Sequence, residues 1–265
     1  MRYFIGKHIW LLFGVVGVTL LFSCSPDERD PGVVVDVPLT FELDLFEQLD
    51  TLQNKLQLLA HTVEIQEDCI NNTIDYTLDR REGKISISLN DIKAAEDCIE
   101  GQGPASATVN IGYLIPGQYD IEINLRNTVV NTGVLVVDHA FFYLSMHSID
   151  GITLLNEQLY RIPGNTIWGY VSYDDHGLVD AANAFLSELT AMTYPFDYPE
   201  GYYGHFKLGS NASIDLLQPS TDAYSTSMVR LLTGERQDLE NLIETYQNEH
   251  TGLQIRLWDG QGVLL

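Results

Sequence analysis

The chain has 265 residues, with 14 Lys and Arg against 37 Asp and Glu and a formal net charge of −23. Hydrophobic residues make up 45% and aromatics 10%, the composition of a globular protein long enough to bury one large core or two small ones. So few cations exclude unaided binding to nucleic-acid backbones and docking on anionic lipid through a basic patch.

Arg2 and Lys7 precede an apolar run from Ile9 to Phe22. The run is shorter than the about 20 residues of a membrane-spanning helix and suits the apolar segment of a signal peptide. It ends in Leu21-Phe22-Ser23-Cys24, and the polar stretch Ser25-Pro26-Asp27-Glu28-Arg29-Asp30-Pro31 follows. This N-terminus resembles the lipobox and acidic tether of Bacteroidota lipoproteins. Leu21 and Ser23 fit the pattern, whereas Phe22 is bulkier than its position usually holds. The resemblance covers about the first thirty residues and no more. It implies a signal peptide over 1–23, lipidation at Cys24, an acidic linker over 24–32, and a lipid-anchored protein at the outer membrane or cell surface. Cleavage would remove two cations and no anion, leaving 12 against 37 and a net charge of −25.

The first domain is expected over residues 33–150. Val33-Val34-Val35 opens a strand, and Leu45, Leu49, Leu52, Leu56 and Leu59 recur at spacings of four and three. That stripe predicts an amphipathic helix near 42–60. Within it, Asp50-Thr51-Leu52 resembles the three-residue O-glycosylation signal of Bacteroidota.

From Thr62 to about Met146 the period changes to two. Ile74, Tyr76 and Leu78 alternate with polar neighbours, as do Ile85, Ile87 and Leu89, then Val109, Ile111 and Tyr113, then Tyr119, Ile121, Ile123 and Leu125. Val134 to Val137 reads as a buried strand. Short strands separated by turn residues predict an antiparallel, Ig-like sandwich. Leu114-Ile115-Pro116-Gly117-Gln118-Tyr119-Asp120-Ile121 resembles the turn that opens a late strand in Ig-like and prealbumin-like extracellular modules.

With Cys24 acylated, Cys69 and Cys98 remain, each within Glu-Asp-Cys-Ile. In an exported chain this pair predicts a disulfide, which would stabilise by roughly 3–4 kcal/mol in the chain-entropy account. Adjacent carboxylates raise a thiol pKa and disfavour a reactive pair, and no Cys-x-x-Cys spacing or histidine cluster points to metal.

A boundary is expected between about Met146 and Ile162, followed by a second domain over 160–265. Ile167 to Tyr173 reads as a strand. Leu178, Ala181, Phe185, Leu189 and Met192 mark a helix face, and a Tyr/Pro/Gly-rich loop leads to a strand from His205 to Leu208. Met228 to Leu232 is the next strand, Leu239, Leu242, Ile243 and Tyr246 mark a second helix that Gly252 ends, and Leu253 to Trp258 closes the chain. The order β-α-β-β-α-β predicts a ferredoxin-like α+β domain.

Catalytic motifs such as HExxH, GxSxG and phosphate-binding loops are missing from the sequence. Gly201, Gly204 and Gly209 do not precede a helix, Val137-Asp138-His139 reads as a strand end, and Asp259-Gly260 as a turn. The acid-base candidates are Asp174, Asp175 and His176 at a strand end, although an Asp directly before a helix is first of all an N-cap. No cofactor or metal is expected, since no histidines stand at the helical i,i+4 spacing.

In the expected domain Ile167, Val171, Phe206, Leu208, Val229, Leu231, Ile255 and Leu257 would face the helices. Trp168, Tyr170, His205, Lys207, Met228, Arg230, Arg256 and Trp258 would face outward. Aromatic platforms beside arginines suit a sugar ring or a protein partner. This face is therefore the candidate binding surface, to be covered by the β-sandwich, a second copy of the chain, an envelope protein or a glycan. Two functions follow. The first is a membrane-anchored, non-catalytic binding or assembly module; the alternative is an envelope hydrolase using Asp174, Asp175 and His176.

Overall fold

The computed structural model describes residues 39–265 with the exception of Glu67. The signal segment, Cys24, the 24–32 linker and the strand expected from Val33 lie outside the described residues. In place of the expected helix stand two strands, β1 (Phe41–Gln48) and β2 (Lys55–Gln66), paired antiparallel. Phe41, Leu43 and Leu45 on β1 and Leu56, Leu58 and Ala60 on β2 are all buried, the alternation of two half-buried strands. The helix-like leucine spacing arises because Leu49 and Leu52 fall in the turn between two period-two runs, where Leu52 is 94% exposed. That turn contains neither Gly nor Pro. Asp50 Oδ1 instead accepts the Leu52 N–H at 2.9 Å, and the Asp50 N–H donates to Asn54 Oδ1 at 3.1 Å.

Eight further strands join this hairpin: β3 (Thr73–Arg81), β4 (Lys84–Lys93), β5 (Gly103–Gly112), β6 (Gly117–Leu125), β7 (Val129–Val137), β8 (Phe141–Met146), β9 (Ile152–Leu154) and β10 (Gln158–Tyr160). Their order is β10-β8-β7-β6-β4-β3-β5-β2-β1-β9, with β1–β9, β3–β5 and β4–β6 parallel. The sheet curls, so that Arg161 after β10 at one edge reaches Glu47 on β1 near the other. One face encloses one core, drawn from Phe41, Leu58, Ile87, Ile123, Leu135 and Leu159 among others. The β3–β5 junction is a single register pair, Thr73 with Ser106. Beside it the Cys69–Cys98 disulfide spans a sequence separation of 29, with the Cα atoms 5.4 Å apart. The Ile70 N–H also donates to the Ile99 carbonyl at 3.0 Å, and Asn71 Oδ1 accepts the Ile99 N–H at the same distance.

The remaining chain supplies β11 (Thr166–Tyr173), α1 (Val179–Ala191), β12 (Thr193–Pro195), β13 (Gly201–Tyr202), β14 (Phe206–Leu208), β15 (Ile214–Leu216), β16 (Tyr224–Leu232), α2 (Arg236–Glu249) and β17 (Gln254–Asp259). Four of these strands form an antiparallel sheet in the order β12-β16-β11-β17. Both helices cover one face of it, where Ile167, Val171, Phe185, Leu189, Leu239, Ile243 and Leu257 pack together. The strands β13, β14 and β15 make a separate sheet packed on the opposite face. β11 is consequently covered on both sides, and every residue from Thr166 to Ser172 is buried. Gly169 is required here: a Cβ would lie 1.9 Å from the Arg256 carbonyl oxygen, and its φ is +148°.

These findings overturn the expected pairing of an Ig-like sandwich, preceded by a helix, with a ferredoxin-like βαββαβ domain. The described chain is mostly β, with two α-helices among the described residues, a ten-stranded curled mixed sheet and two smaller sheets. The strand expected at His205 to Leu208 belongs to the separate three-stranded sheet, while Thr193–Pro195 pairs with β16 instead. Three residues show no alternation, so nothing in the pattern marked that strand. The facing of β16 is also reversed. Met228 packs under the helices, whereas Val229 faces the three-stranded sheet with Phe206 and Leu208. Both residues are apolar, and alternation alone left their direction undetermined.

Candidate functional site

The three-stranded sheet lies between the outer face of β1 and the helix-free face of the four-stranded sheet, forming a seam. The inward residues of β1 are Leu43, Leu45 and Glu47, so Asp44 and Phe46 point out toward the seam. The Asp44 carboxylate lies beside Tyr202 and accepts from Asn156 Nδ2 at 3.1 Å. The His205 ring lies 4.7 Å from the Phe46 ring and 5.4 Å from the Trp168 ring. Its Nε2–H donates to the Glu47 carbonyl at 3.1 Å, which leaves Nδ1 as the acceptor. Burial holds the imidazole below the ordinary histidine range, and the hydrogen bond to Glu47 only partly opposes this, so His205 is neutral at neutral pH.

Trp168 and Trp258 are register partners on β11 and β17. With His205, Leu216, Leu217, Gln218 and Gly262 they line a cavity of about 200 Å³. Trp168 is 3% exposed, and Leu217 at the rim is 59% exposed.

Below His205 the Glu47 side chain is 2% exposed, at a position that the alternation of β1 reserves for the core. Its Oε1 accepts Arg161 Nε at 2.9 Å and Nη2 at 2.8 Å. Among the described residues Oε2 has no hydrogen-bond partner. Burial pushes the Glu47 carboxyl up, and the charge and hydrogen bonds of Arg161 only partly offset that. Arg161 is itself held 5.1 Å over the Phe142 ring. It lines a second, larger cleft of about 440 Å³, with Asn54, His139, Tyr160, Tyr198 and Tyr203.

The seam brings together part of the expected binding face. Trp168, His205 and Trp258 converge on the smaller cavity, and Tyr170 is buried beside Trp258, with ring centroids 6.4 Å apart. Lys207 and Arg256 are exposed. Arg230 lies on the helix side of β16, where its Nε donates to Thr193 Oγ1 at 2.5 Å. Asp174, Asp175 and His176 are all exposed and do not meet at a common point. Asp175 Oδ1 accepts the Gly177 N–H at 2.8 Å as a cap, Asp174 Oδ1 accepts the Ala223 N–H at 2.9 Å, and the His176 ring stands edge-on to Tyr224 at 5.5 Å. None of the three lines either cavity of the seam. Among the described residues no group of three or more His, Cys, Asp or Glu is placed to hold a metal, and no helix is long and apolar enough to cross a membrane.

Sequence reasoning missed Glu47, Arg161, Tyr160 and Tyr198. The available signal was the run Phe41-Glu42-Leu43-Asp44-Leu45-Phe46-Glu47: read as a strand, it puts a carboxylate at an inward position, where an unpaired charge is not tolerated. The helix reading hid it. Comparison with protein-family models, curated proteins and solved structures finds no match.

Proposed function

We propose that the chain is an exported binding or assembly module of the cell envelope, anchored at the outer membrane or cell surface by lipid on Cys24, without a catalytic role. Residues 160–265 carry the tryptophan cavity that we take as its working surface. The observation that carries this reading is the convergence of Trp168, Trp258 and His205 on a cavity with the exposed Leu217 at its rim. Buried aromatics beside exposed apolar rim residues are the composition of a partner-binding patch. The disulfide supports export, because such bonds persist in oxidising compartments. Asp174 and Asp175 are engaged with backbone N–H groups, which favours the module over the hydrolase.

Two measurements test the reading. Mass spectrometry of the native N-terminus should find an acylated Cys24 after loss of residues 1–23; a mature chain beginning elsewhere, or export without lipid, contradicts the anchor. Of the three tryptophans only Trp168 and Trp258 remain once Trp10 is removed with the signal segment, so intrinsic fluorescence reports on the cavity directly. Envelope extract added to the soluble chain from residue 25 should change that emission; an emission insensitive to every fraction contradicts the site.

A further inference from the structure

We propose that the tyrosine-lined cleft beside Arg161 is a second binding site, separate from the tryptophan cavity, for a neutral saccharide ring. Its volume of about 440 Å³ falls within the range of about 300–1,000 Å³ typical of small-molecule sites. The walls are prepared before any ligand arrives. Tyr160 and Tyr203 stack with ring centroids 5.2 Å apart and an interplanar angle of 26°. Gly201, at φ +143°, lies so close that a Cβ there would stand 2.7 Å from the Tyr160 ring, so the loop presses against that ring and fixes its position. Tyr203 is held from the other end by its hydroxyl, which donates to the Pro199 carbonyl at 2.8 Å. Tyr198 packs against Phe196 with ring centroids 4.5 Å apart and an interplanar angle of 32°, and at 44% exposure it lines the mouth.

Charge selects the ligand class. The Arg161 guanidinium would ordinarily recruit a carboxylate or phosphate, but its Nε and Nη2 are both committed to Glu47. The pair is locally neutral, and the −23 of the whole chain repels anions at longer range. A cation would meet the guanidinium itself. Tyr203, 1% exposed and stacked between Tyr160 and Phe206, backs the wall, so the rings left to a ligand are those of Tyr160 and Tyr198; alongside Asn54, His139 and the remaining Arg161 N–H groups they suit a ligand that is neutral, rich in hydroxyls and apolar on one face. A pyranose ring has these properties. Because the walls are ordered in advance, little ordering cost opposes binding.

The test uses the soluble chain from residue 25, with its disulfide intact, and titration calorimetry. The probes are neutral oligosaccharides of glucose, galactose, mannose and N-acetylglucosamine, matched uronic-acid oligosaccharides, and a proline-rich peptide. At least one neutral saccharide should bind, more tightly than its uronic-acid counterpart. Tyr198→Ala should weaken that binding about five- to tenfold, the scale of one lost aromatic contact, with the melting temperature unchanged. His139→Ala, also at the exposed rim, provides a second variant and should weaken it as well. Trp258→Ala should leave saccharide binding intact, which separates failure of this site from failure of the tryptophan cavity. The proposal is overturned by no neutral binding across the panel, by preference for the acidic saccharides, by binding that both rim variants leave unchanged, or by the peptide alone occupying the cleft.

Discussion

The strongest constraint on a single residue falls on Glu47. A carboxylate that is 2% exposed is tolerated only while Arg161 compensates it, and removing one partner of such a pair costs about 3–5 kcal/mol. Arg161→Met should therefore destabilise the protein by that amount at neutral pH in denaturant unfolding. The pH dependence follows from direction. Glu47 has a folded value above the ordinary carboxyl value of 4.5, so the folded state holds its proton more tightly than the unfolded chain. The stability it contributes is fully present below 4.5 and is lost as pH rises through the folded value. The Arg161→Met penalty should accordingly shrink as the medium is acidified toward 4.5, and a penalty independent of pH would refute the assignment. His205 works the other way. Its folded value lies below 6.5, so its contribution is present above 6.5 and lost as pH falls toward the folded value. A melting profile in His205→Phe should lack the decline that begins just below 6.5 in the native chain.

Among the elements, the disulfide acts where the large sheet is weakest. β3 and β5 share one register pair, and Cys69–Cys98 ties the segments leading into them. Replacing both cysteines by Ala should cost about 3–4 kcal/mol, a fall in Tm of roughly 6–16 °C; a change under about 2 °C would show that the backbone bonds near Ile70 and Ile99 suffice without it. The cysteine pair was legible in the sequence because chemistry and compartment restrict it strongly. The strands β4, β5 and β6 were legible because each buries one face, which writes a period of two into the chain, and β7 through the apolar run from Val134 to Val137. The β1–β2 hairpin was not, since its turn uses Asp50 and Asn54 hydrogen bonds in place of Gly or Pro, and two offset period-two runs imitate a helical stripe. The three-stranded sheet was equally hidden, because strands of two or three residues carry almost no periodicity. Of the candidate site, Trp168, His205 and Trp258 were legible as members of one face. Arg161, Glu47 and Tyr198 come from segments separated by more than thirty residues, and only the curl of the sheet and the placement of the loop bring them near one another.

At the scale of the molecule, the three-stranded sheet joins the other two layers. It covers the face of the four-stranded sheet that the helices leave open, and it receives Phe46 and Asp44 from the outer face of β1. The face expected to seek an external cover is thus largely covered by the chain itself, and what remains open is the pair of cavities at the seam. Trp168 is too deeply buried to meet a large partner directly, whereas Leu217 and the half-buried Trp258 are accessible. A macromolecular partner would engage this rim, with the buried aromatics setting its shape.

The most direct test of the envelope-module account is affinity capture from envelope extract on the immobilised soluble chain from residue 25, compared with the double variant Leu217→Ala/Trp258→Ala. The melting temperatures of the two proteins are measured in parallel, to show that both are folded. The account expects the native chain to retain a defined component that the folded double variant loses. Equal retention by the two folded proteins, or no specific retention by the native chain, would contradict it.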